Sequence, residues 1–407
     1  MRRKHILIFQ TGEPIPCDKE SKRKMRAWNL VDYLLQNDCY VTLVSTRFDH
    51  STKEHRSLER IQSYHNNLEI FLIDSPGYNK NISLRRLYDH LTLSKNLASF
   101  LKKIDVSFDA VFIGFPPLEA AFVLFRWSKR NNLNVFLDVK DLWPQIFLFS
   151  RPPIVKFLLR ILLTPYFIIY NYLVKNTDYL VSISKDFIDF LVKDTNRKSS
   201  KNIVTFLTSA SPSNLYYSYE LKERTLTLGF AGSFMDAFDF LPIKEALDFI
   251  GNDFKVKLLI AGTGGAINDV KKTFHNYSNV IFLGWLDGDQ LDNFYNSIDI
   301  SLIPLKQRLD FSLSFPNKAM DSLSRHKPII CSCKGALTNY LEKYDCGYYF
   351  NPNNPSELAM ILNKLDSDRG RLQKMSLNIS KIYEKNFNHN VNYENLVAEI
   401  ISSNQSH

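Results

Sequence analysis

The stretch "LTLGFAGSFMDAFDFLPIKEALDFIGNDFKVKLLIAGTGG", Leu226 to Gly265, decides how this chain folds. It opens on a short apolar run and passes through a helical pattern near Leu241–Ile250. It then returns to a second apolar run that ends in glycines. Two short apolar strands around one helix are the unit of a parallel sheet. The unit is decisive because it starts a pattern the chain has already completed once. Upstream, "HILIFQ", "YVTLVS", "LEIFLI", "DAVFIGF", "NVFLDV" and "DYLVSI" alternate with helical stretches around Lys22–Leu35, Leu84–Lys102 and 153–176. The segment "SASPSNLYYS", Ser209 to Ser218, interrupts with Ser, Pro and Asn. Downstream of the restart, "NVIFLGW", "DISLIP" and "KPIICS" continue it.

The expected fold class is therefore α/β, with two Rossmann-like doubly wound domains and a boundary near 208–222. We place an N-terminal domain at 1–210 and a second domain at 220–385. A C-terminal helix at 386–407 is expected to pack back on the first domain, within a helical stretch that runs from Ser376 to Ser402. No short internal repeat is visible. "NLYYSYE", Asn214 to Glu220, reads as an aromatic packing patch in the linker.

With 407 residues, 45% of them hydrophobic, the chain has ample material for two or three cores. Five cysteines, at 17, 39, 331, 333 and 346, form no disulfide framework, and Cys331-Ser-Cys333 is too tight for a metal knuckle. The expectation is a reduced, cytoplasmic protein. The formal net charge is +9, concentrated in two places. Residues 1–26 carry eight Lys/Arg against three Asp/Glu, and Arg151 to Lys201 carry nine against four. No aromatic–basic RNA signature or zinc spacing accompanies them, so no nucleic-acid partner is expected. An anionic membrane or an anionic substrate suits the charge better. The N-terminal apolar run "ILIF" is too short for a signal-peptide core. Phe157 to Val174 is the most apolar stretch, but Arg160 and Pro165 interrupt it short of a clean membrane span. Two readings stay open for it: a membrane-facing segment, or a hydrophobic helix pair buried against the sheet.

A dinucleotide fingerprint is absent after the first strand, where "TGEPIPCDKE" has one glycine and two prolines. Gly262 and Gly264 in "AGTGG" match such a motif only in part. They serve either as a tight turn or as a ligand contact. "SFPNKAMDSLSRHKPIICS", Ser314 to Ser332, is more pointed. Its helix places Lys318 and Asp321 one turn apart on one face near the N-terminus. A carboxylate there complements the helix dipole; a lysine opposes it and calls for a negative neighbour. The alternative is that both merely solvate the helix.

"GFAGSF", "LLIAGTGG", "VIFLGWLD" and "DISLIPL…SFPNKAMDSLSRHKPIIC" follow one another in that order, and the chain thereby resembles the family-4 type of retaining glycosyltransferases with the GT-B fold. In the first half, "QTGEPIPCDKESKRKMRAWNLVDYL", "SPGYNKNISLRRLYDHL", "GFPPLEAA" and "DVKDLWPQIF" look like the bacterial branch that builds surface polysaccharides such as O-antigen and capsule. The resemblance implies two Rossmann-like domains facing a cleft and transfer of a sugar from a nucleotide-diphosphate sugar. The implied acceptor is a hydroxyl of a polyprenyl-diphosphate-linked glycan at the inner face of the plasma membrane. No metal and no cofactor beyond the donor are implied.

Residue by residue, the resemblance puts Asp321 on the donor ribose. Lys318 and the amides of Asn317 to Ala319 fall on the diphosphate, and Gly232 and Ser233 on the donor at the "GS" turn. It also puts Asp138 and Asp141 at a strand end lining acceptor and donor sugar, as catalytic candidates. The residue-level alternative makes Asp141 a helix N-cap and Trp143 core. Gly12 and Glu13 end the first strand and either approach the donor or form a plain turn. Two features depart from the family pattern. Relatives often pair glutamates eight apart, whereas the position eight before Asp321 is Leu313, with Asp310 the nearest substitute. Relatives often carry bases after the "GS" turn, whereas "GSFMDAFDFL" has only Asp236 and Asp239, leaving Lys306 or Arg308 as stand-ins or as a solvated loop. His90 is set aside as structural. Two other functions remain open: a nucleotide-sugar epimerase or hydrolase, which needs no acceptor, and a non-catalytic nucleotide-binding scaffold.

Overall fold

A computed structural model describes residues 2–18, 24–57, 61–81, 83–149, 151–198, 201–205, 225–251 and 255–403. The boundary expected near 208–222 and the aromatic patch at 214–220 lie outside these residues. The chain forms two compact units, Met1–Ser209 with Asn390–His407, and Ala210–His389.

In the first unit the elements run β1 (His5–Phe9), α1 (Arg26–Gln36), β2 (Tyr40–Thr46), β3 (Phe48–Asp49), β4 (Glu54–His55), β5 (Ile61–His65), β6 (Leu68–Ile73), α2 (Leu84–Leu101), β7 (Ala110–Phe115), α3 (Leu118–Arg130), β8 (Asn134–Val139), α4 (Pro153–Leu162), α5 (Thr164–Asn176), β9 (Tyr179–Ser182), α6 (Lys185–Thr195) and β10 (Asn202–Val204). Among the described residues they build an eight-stranded sheet in the order β10-β9-β8-β7-β1-β2-β6-β5. Its ladders are parallel except at the edge, where β5 runs antiparallel to β6. Strand β7 reads AVFIGF and is buried at every position, as a parallel strand covered on both faces must be. Helix α2 starts where the Ser83 side chain accepts the Arg86 amide at 3.2 Å, one of the orphan donors of a helix start.

The second unit runs β11 (Leu226–Ala231), α7 (Leu241–Ile250), β12 (Val256–Ala261), α8 (Ile267–Thr273), β13 (Val280–Gly284), α9 (Gly288–Ser297), β14 (Ile300–Ile303), α10 (Leu309–Leu313), α11 (Asn317–Ser324), β15 (Ile329–Cys331), α12 (Ala336–Lys343), β16 (Gly347–Tyr349), α13 (Pro355–Ser367), α14 (Arg369–Ile382) and, after a π turn, the start of α15 (His389–Ser402). Its six strands are all parallel, in the order β13-β12-β11-β14-β15-β16. Leu228, Phe230, Leu258, Ile260, Ile300 and Leu302 form its centre, with Leu358 and Leu362 of α13 on one face. The apolar face of α15 belongs to the other core: Tyr393, Leu396, Val397 and Ile400 pack with Ile6, Leu30, Leu34 and Val41.

Both sheets reverse direction beside their first strand. In the first unit β1 lies between β7 and β2, and in the second β11 lies between β12 and β14. At such a reversal the loops after the two strands diverge and leave a crevice at the carboxyl ends. Gly12 and Glu13 lie on the loop after β1, and Gly232 and Ser233 on the loop after β11.

Helices α4 and α5 meet at a 70° bend, and no single described helix is long and apolar enough to cross a membrane. The pair is not buried as a whole. Helix α4 has no buried residue, and Ile154, Phe157, Leu158, Ile161 and Leu162 are all exposed. Helix α5 buries Tyr170, Leu173 and Val174 near its end.

Candidate functional site

In the second unit, three loops and one helix start converge after β11, β12 and β14. Gly232 donates its amide to Ala261 O at 3.0 Å, and Phe234 to Thr263 O at 2.8 Å. This brings the loop after β11 backbone-to-backbone against the loop after β12. A Cβ on Gly262 would lie 2.0 Å from Gly232 O, and one on Gly264 would lie 2.4 Å from Phe234 O. Both glycines also have φ in the left-handed half, +128° and +143°. The "AGTGG" glycines are therefore required by close loop packing. That settles the turn reading for them and leaves a ligand contact as a proposal. The Asp239 amide bonds Pro304 O at 2.8 Å, and Lys306 Nζ pairs with Asp236 at 2.5 Å, tying in the loop after β14.

Lys318 is the second residue of α11. Its stem crosses the bare Cα of Gly232, where a Cβ would lie 2.2 Å from Cε and 2.5 Å from Nζ. Its ammonium lies 4.5 Å from the Phe238 ring centre and 5.5 Å from that of Phe230. Burial under these rings pushes Lys318 down to about 8, although Asp321 acts the other way. Among the described residues the ammonium makes no ion pair. Cation–π contact is a weak substitute for a counter-charge. Asn317 is exposed. The Ala319 amide is not available to a ligand, because it bonds Pro316 O at 2.9 Å. This corrects the expectation of amides open from Asn317 to Ala319, since the chain enters α11 through a 3₁₀-type turn.

Asp321 is buried, and it raises both Lys318 and Arg325, which places its charge between them. Arg325 reaches Asp292 through Nε at 2.7 Å. The other stand-ins are engaged locally. Arg308 holds Asp310 in a two-pronged pair, both contacts at 2.7 Å, so Asp310 is not an idle replacement for the carboxylate absent at Leu313. Ser233 is exposed on the loop after Gly232.

In the first unit, Asp138 at the end of β8 is 1% exposed and ion-paired with Arg26 at the start of α1. As placed, this carboxylate is held by Arg26 and shielded from solvent, and a catalytic role for it is left as a proposal. Asp141 is exposed, but it caps no helix. The next helical turn is the 3₁₀ stretch Gln145–Leu148, whose N-cap is Pro144. The Glu13 carboxylate takes Lys140 Nζ at 2.6 Å and the Ala27 amide at 3.1 Å, and its approach to the donor is left as a proposal. Burial pushes Glu13 up, but Lys140, the Ala27 amide and Arg26 outweigh it and hold the group below its ordinary value. Glu13 thus satisfies an orphan amide of α1. Gly12 adopts φ +76°, and its missing Cβ would face His50 Cβ at 4.0 Å.

His90, set aside from the sequence, stands in a polar cluster with Glu119. Its Nδ1 lies 3.4 Å from Glu119 Oε2, and Tyr166 donates to Oε1 at 2.8 Å. Burial acts to raise Glu119, yet these two partners bring it below its usual value. Sequence reasoning also passed over His50, Lys53, Tyr78 and Arg86 beside it. The only signal was the density of cations in "HSTK" and "LRRLYDH", which the fold brings together from the turn after β3 and the start of α2.

Comparison with known proteins agrees with this geometry. Residues 225–368 match the family described as "Glycosyl transferases group 1". The curated "Uncharacterized glycosyltransferase MJ1607" of Methanocaldococcus jannaschii is 27% identical over 150 residues, and the match spans 36% of this chain and 36% of that relative. Sucrose-phosphate synthase from Thermosynechococcus elongatus superposes with a TM-score of 0.75 at 12% identity, covering 97% of both chains. Anabaena Alr3699/HepE in complex with UDP superposes with a TM-score of 0.66 at 15% identity, covering 98% of this chain and 99% of that one. These likenesses show the GT-B fold.

Proposed function

We propose that this chain is a retaining, family-4-type glycosyltransferase. It moves a hexosyl group from a nucleoside-diphosphate sugar to a hydroxyl of a lipid-linked glycan in surface-polysaccharide synthesis. The observation that carries the reading is Lys318: an ammonium with no ion pair among the described residues, desolvated under Phe230 and Phe238, at a helix N-terminus beside the sheet reversal. A diphosphate there gains the ammonium, the dipole and the amides of Asn317 and Lys318. In the transfer the bond from the anomeric carbon to the diphosphate oxygen breaks, and a bond to the acceptor oxygen forms. The nucleoside diphosphate leaves, and the acceptor's proton passes to it or to solvent. Lys318 would stabilise the charge growing on the leaving group. The match of residues 225–368 to group 1 glycosyltransferases supports the class. The UDP complex of the Anabaena relative supports a nucleotide donor. Gly232 and Ser233 would border the diphosphate. Gly262 and Gly264 would shape the loop beneath it, and Gly12, Glu13, Asp138 and Asp141 are the first unit's own candidates for sugar contact.

Asp321 is assigned to the ribose hydroxyls. Asp321→Ala is expected to weaken donor-nucleotide binding more than about tenfold, because a charge-assisted hydrogen bond is worth roughly 1.5–3 kcal/mol. Asp321→Asn should recover part of this. Calorimetric titration with UDP, GDP, dTDP and ADP measures it, with a thermal melt as control because Asp321 is buried near Arg325. Unchanged affinity for every nucleotide in Asp321→Ala would remove the carboxylate from the site.

The same reading places the protein peripherally on the cytoplasmic face of an anionic membrane. Its support is the exposed apolar side of α4 with exposed Arg151, Lys156, Arg160 and Lys175 around it. Each basic residue near such a surface adds about 1 kcal/mol. Flotation with phosphatidylglycerol-containing liposomes at low salt should carry the protein upward, and Phe157→Asp with Leu158→Asp should leave it at the bottom. A parent protein that never floats ends the proposal.

A further inference from the structure

The first unit holds two cations that share one ring and, among the described residues, pair with no carboxylate. Lys53 Nζ lies 4.7 Å from the Tyr78 ring centre, and the Arg86 guanidinium carbon lies 5.3 Å from it. Arg86 also lies over Trp143 at 5.1 Å. Among the described residues none of their hydrogen-bond partners is a carboxylate. Lys53 donates to Asn81 Oδ1 at 2.7 Å and to His50 Nδ1 at 3.1 Å. Arg86 donates to Asn81 O at 2.8 Å, and its Nε lies 3.4 Å from His90 Nε2. The nearby carboxylates are spent elsewhere. Asp49 takes the Ser51 amide and hydroxyl, Asp89 takes the Gly77 amide, and Glu119 is held by Tyr166 and His90.

The electrostatic consequence is visible in both basic neighbours. Burial first, then Lys53 and Arg86, push His50 down to about 4, so its Nδ1 remains an acceptor for Lys53 and for the Tyr78 hydroxyl at 2.6 Å. Burial and Arg86 lower Lys53, though Asp49 opposes them. Like charges gathered without a counter-ion cost free energy that an anion recovers. A second sign of the same bias is conformational. Lys53 occupies the turn between β3 and β4 with φ +63°, a left-handed backbone that favours Gly or Asn. The chain keeps a lysine there, against the local preference. The cluster also adjoins the sheet reversal, because His50 faces Gly12 at the end of β1.

We propose that Lys53 and Arg86, with His50, Tyr78 and Trp143, form a phosphate-binding site in the first unit, separate from the Lys318 site. Its ligand class is a phosphate or diphosphate group carried by the acceptor. Identifying it with the acceptor rests on the glycosyltransferase reading; the anion site itself does not. Charge-assisted bonds from ammonium and guanidinium hold the phosphate oxygens, and the aromatic rings flank whatever the phosphate carries.

The test uses the full chain bearing Lys318→Met, so that the α11 site of the second unit lacks its ammonium. Calorimetric titration with inorganic pyrophosphate is expected to show one remaining site. Lys53→Asn and Arg86→Gln, each added singly, should weaken that site about tenfold, and both together should abolish it. Arg86→Lys should restore part of the loss. Lys53→Asn relieves the left-handed turn, so a melt at or above the parent value shows that the fold is kept. Geranyl diphosphate should compete with pyrophosphate for the site. No pyrophosphate binding in Lys318→Met, or binding indifferent to both cation substitutions, overturns the site. Pyrophosphate binding without competition by geranyl diphosphate overturns the acceptor assignment. UDP binding by the unsubstituted protein is measured separately, so failure of the donor reading is distinguishable from failure of this one.

Discussion

Lys318→Met is expected to melt higher than the parent at pH 7 and to bind donor nucleotide about ten- to a hundredfold more weakly. The stability half of this follows from the lowered lysine, at about 8 in the folded protein against an ordinary 10.5. Below pH 8 the ammonium is charged in both states, and burying it opposes folding in full. Between about 8 and 10.5 the folded group has lost its proton while the unfolded one keeps it, so parent stability rises with pH. The advantage of methionine is therefore largest at neutral pH and gone above 10.5. Because Lys318 is only half-buried, the penalty is discounted to about 1–2 kcal/mol, or about 3–6 °C in the melting temperature. The binding half follows from losing one charge-assisted contact to the diphosphate. It carries its own pH signature. Parent affinity for UDP should fall above about pH 8, approaching tenfold per pH unit, as the free lysine deprotonates, whereas Lys318→Met should be flat. Melts and titrations at pH 7, 8 and 9 read both halves. A lower melting temperature with undiminished UDP binding would mean the lysine serves the fold and not a ligand.

The second large effect belongs to the first unit. Arg26→Ala should destabilise the protein by about 3–5 kcal/mol, because it strands Asp138 as an unpaired charge at 1% exposure. At about 2–4 °C per kcal/mol, the melting transition falls by about 6–20 °C. Arg26→Ala combined with Asp138→Ala should recover much of the loss, since removing both partners leaves no buried charge. Glu13 and Lys140 lie in the same polar layer, so the coupling energy extends beyond the pair. Melts of the two single variants and the double variant complete the cycle. A single variant within about 2 °C of the parent would show that Asp138 is solvated after all.

These two residues show where sequence reading stops. The strand and helix alternation is local information. A short continuous apolar run such as AVFIGF suits a strand covered on both faces, and its alternation with helical periodicity points to parallel connections. The restart at Leu226 was therefore readable from spacing alone. So was the oddity of Lys318, because a cation in the first turn of a helix conflicts with a dipole that any reader of sequence can place.

Side-chain pairing was not readable, because it depends on which loops the sheets bring together. The partner of Asp138 could not be read from sequence, because β8 sets it against Arg26, 112 residues earlier in the chain. Gly262 and Gly264 were ambiguous until the loop after β11 came within van der Waals reach of their missing side chains. His90 was bland as a lone histidine and became part of a charged cluster once α2 and α3 set it beside Glu119. Periodicity is set by backbone geometry within a few residues of chain. Charge pairing is set by distances of a few ångströms between residues far apart in sequence, and those distances exist only after the chain has folded.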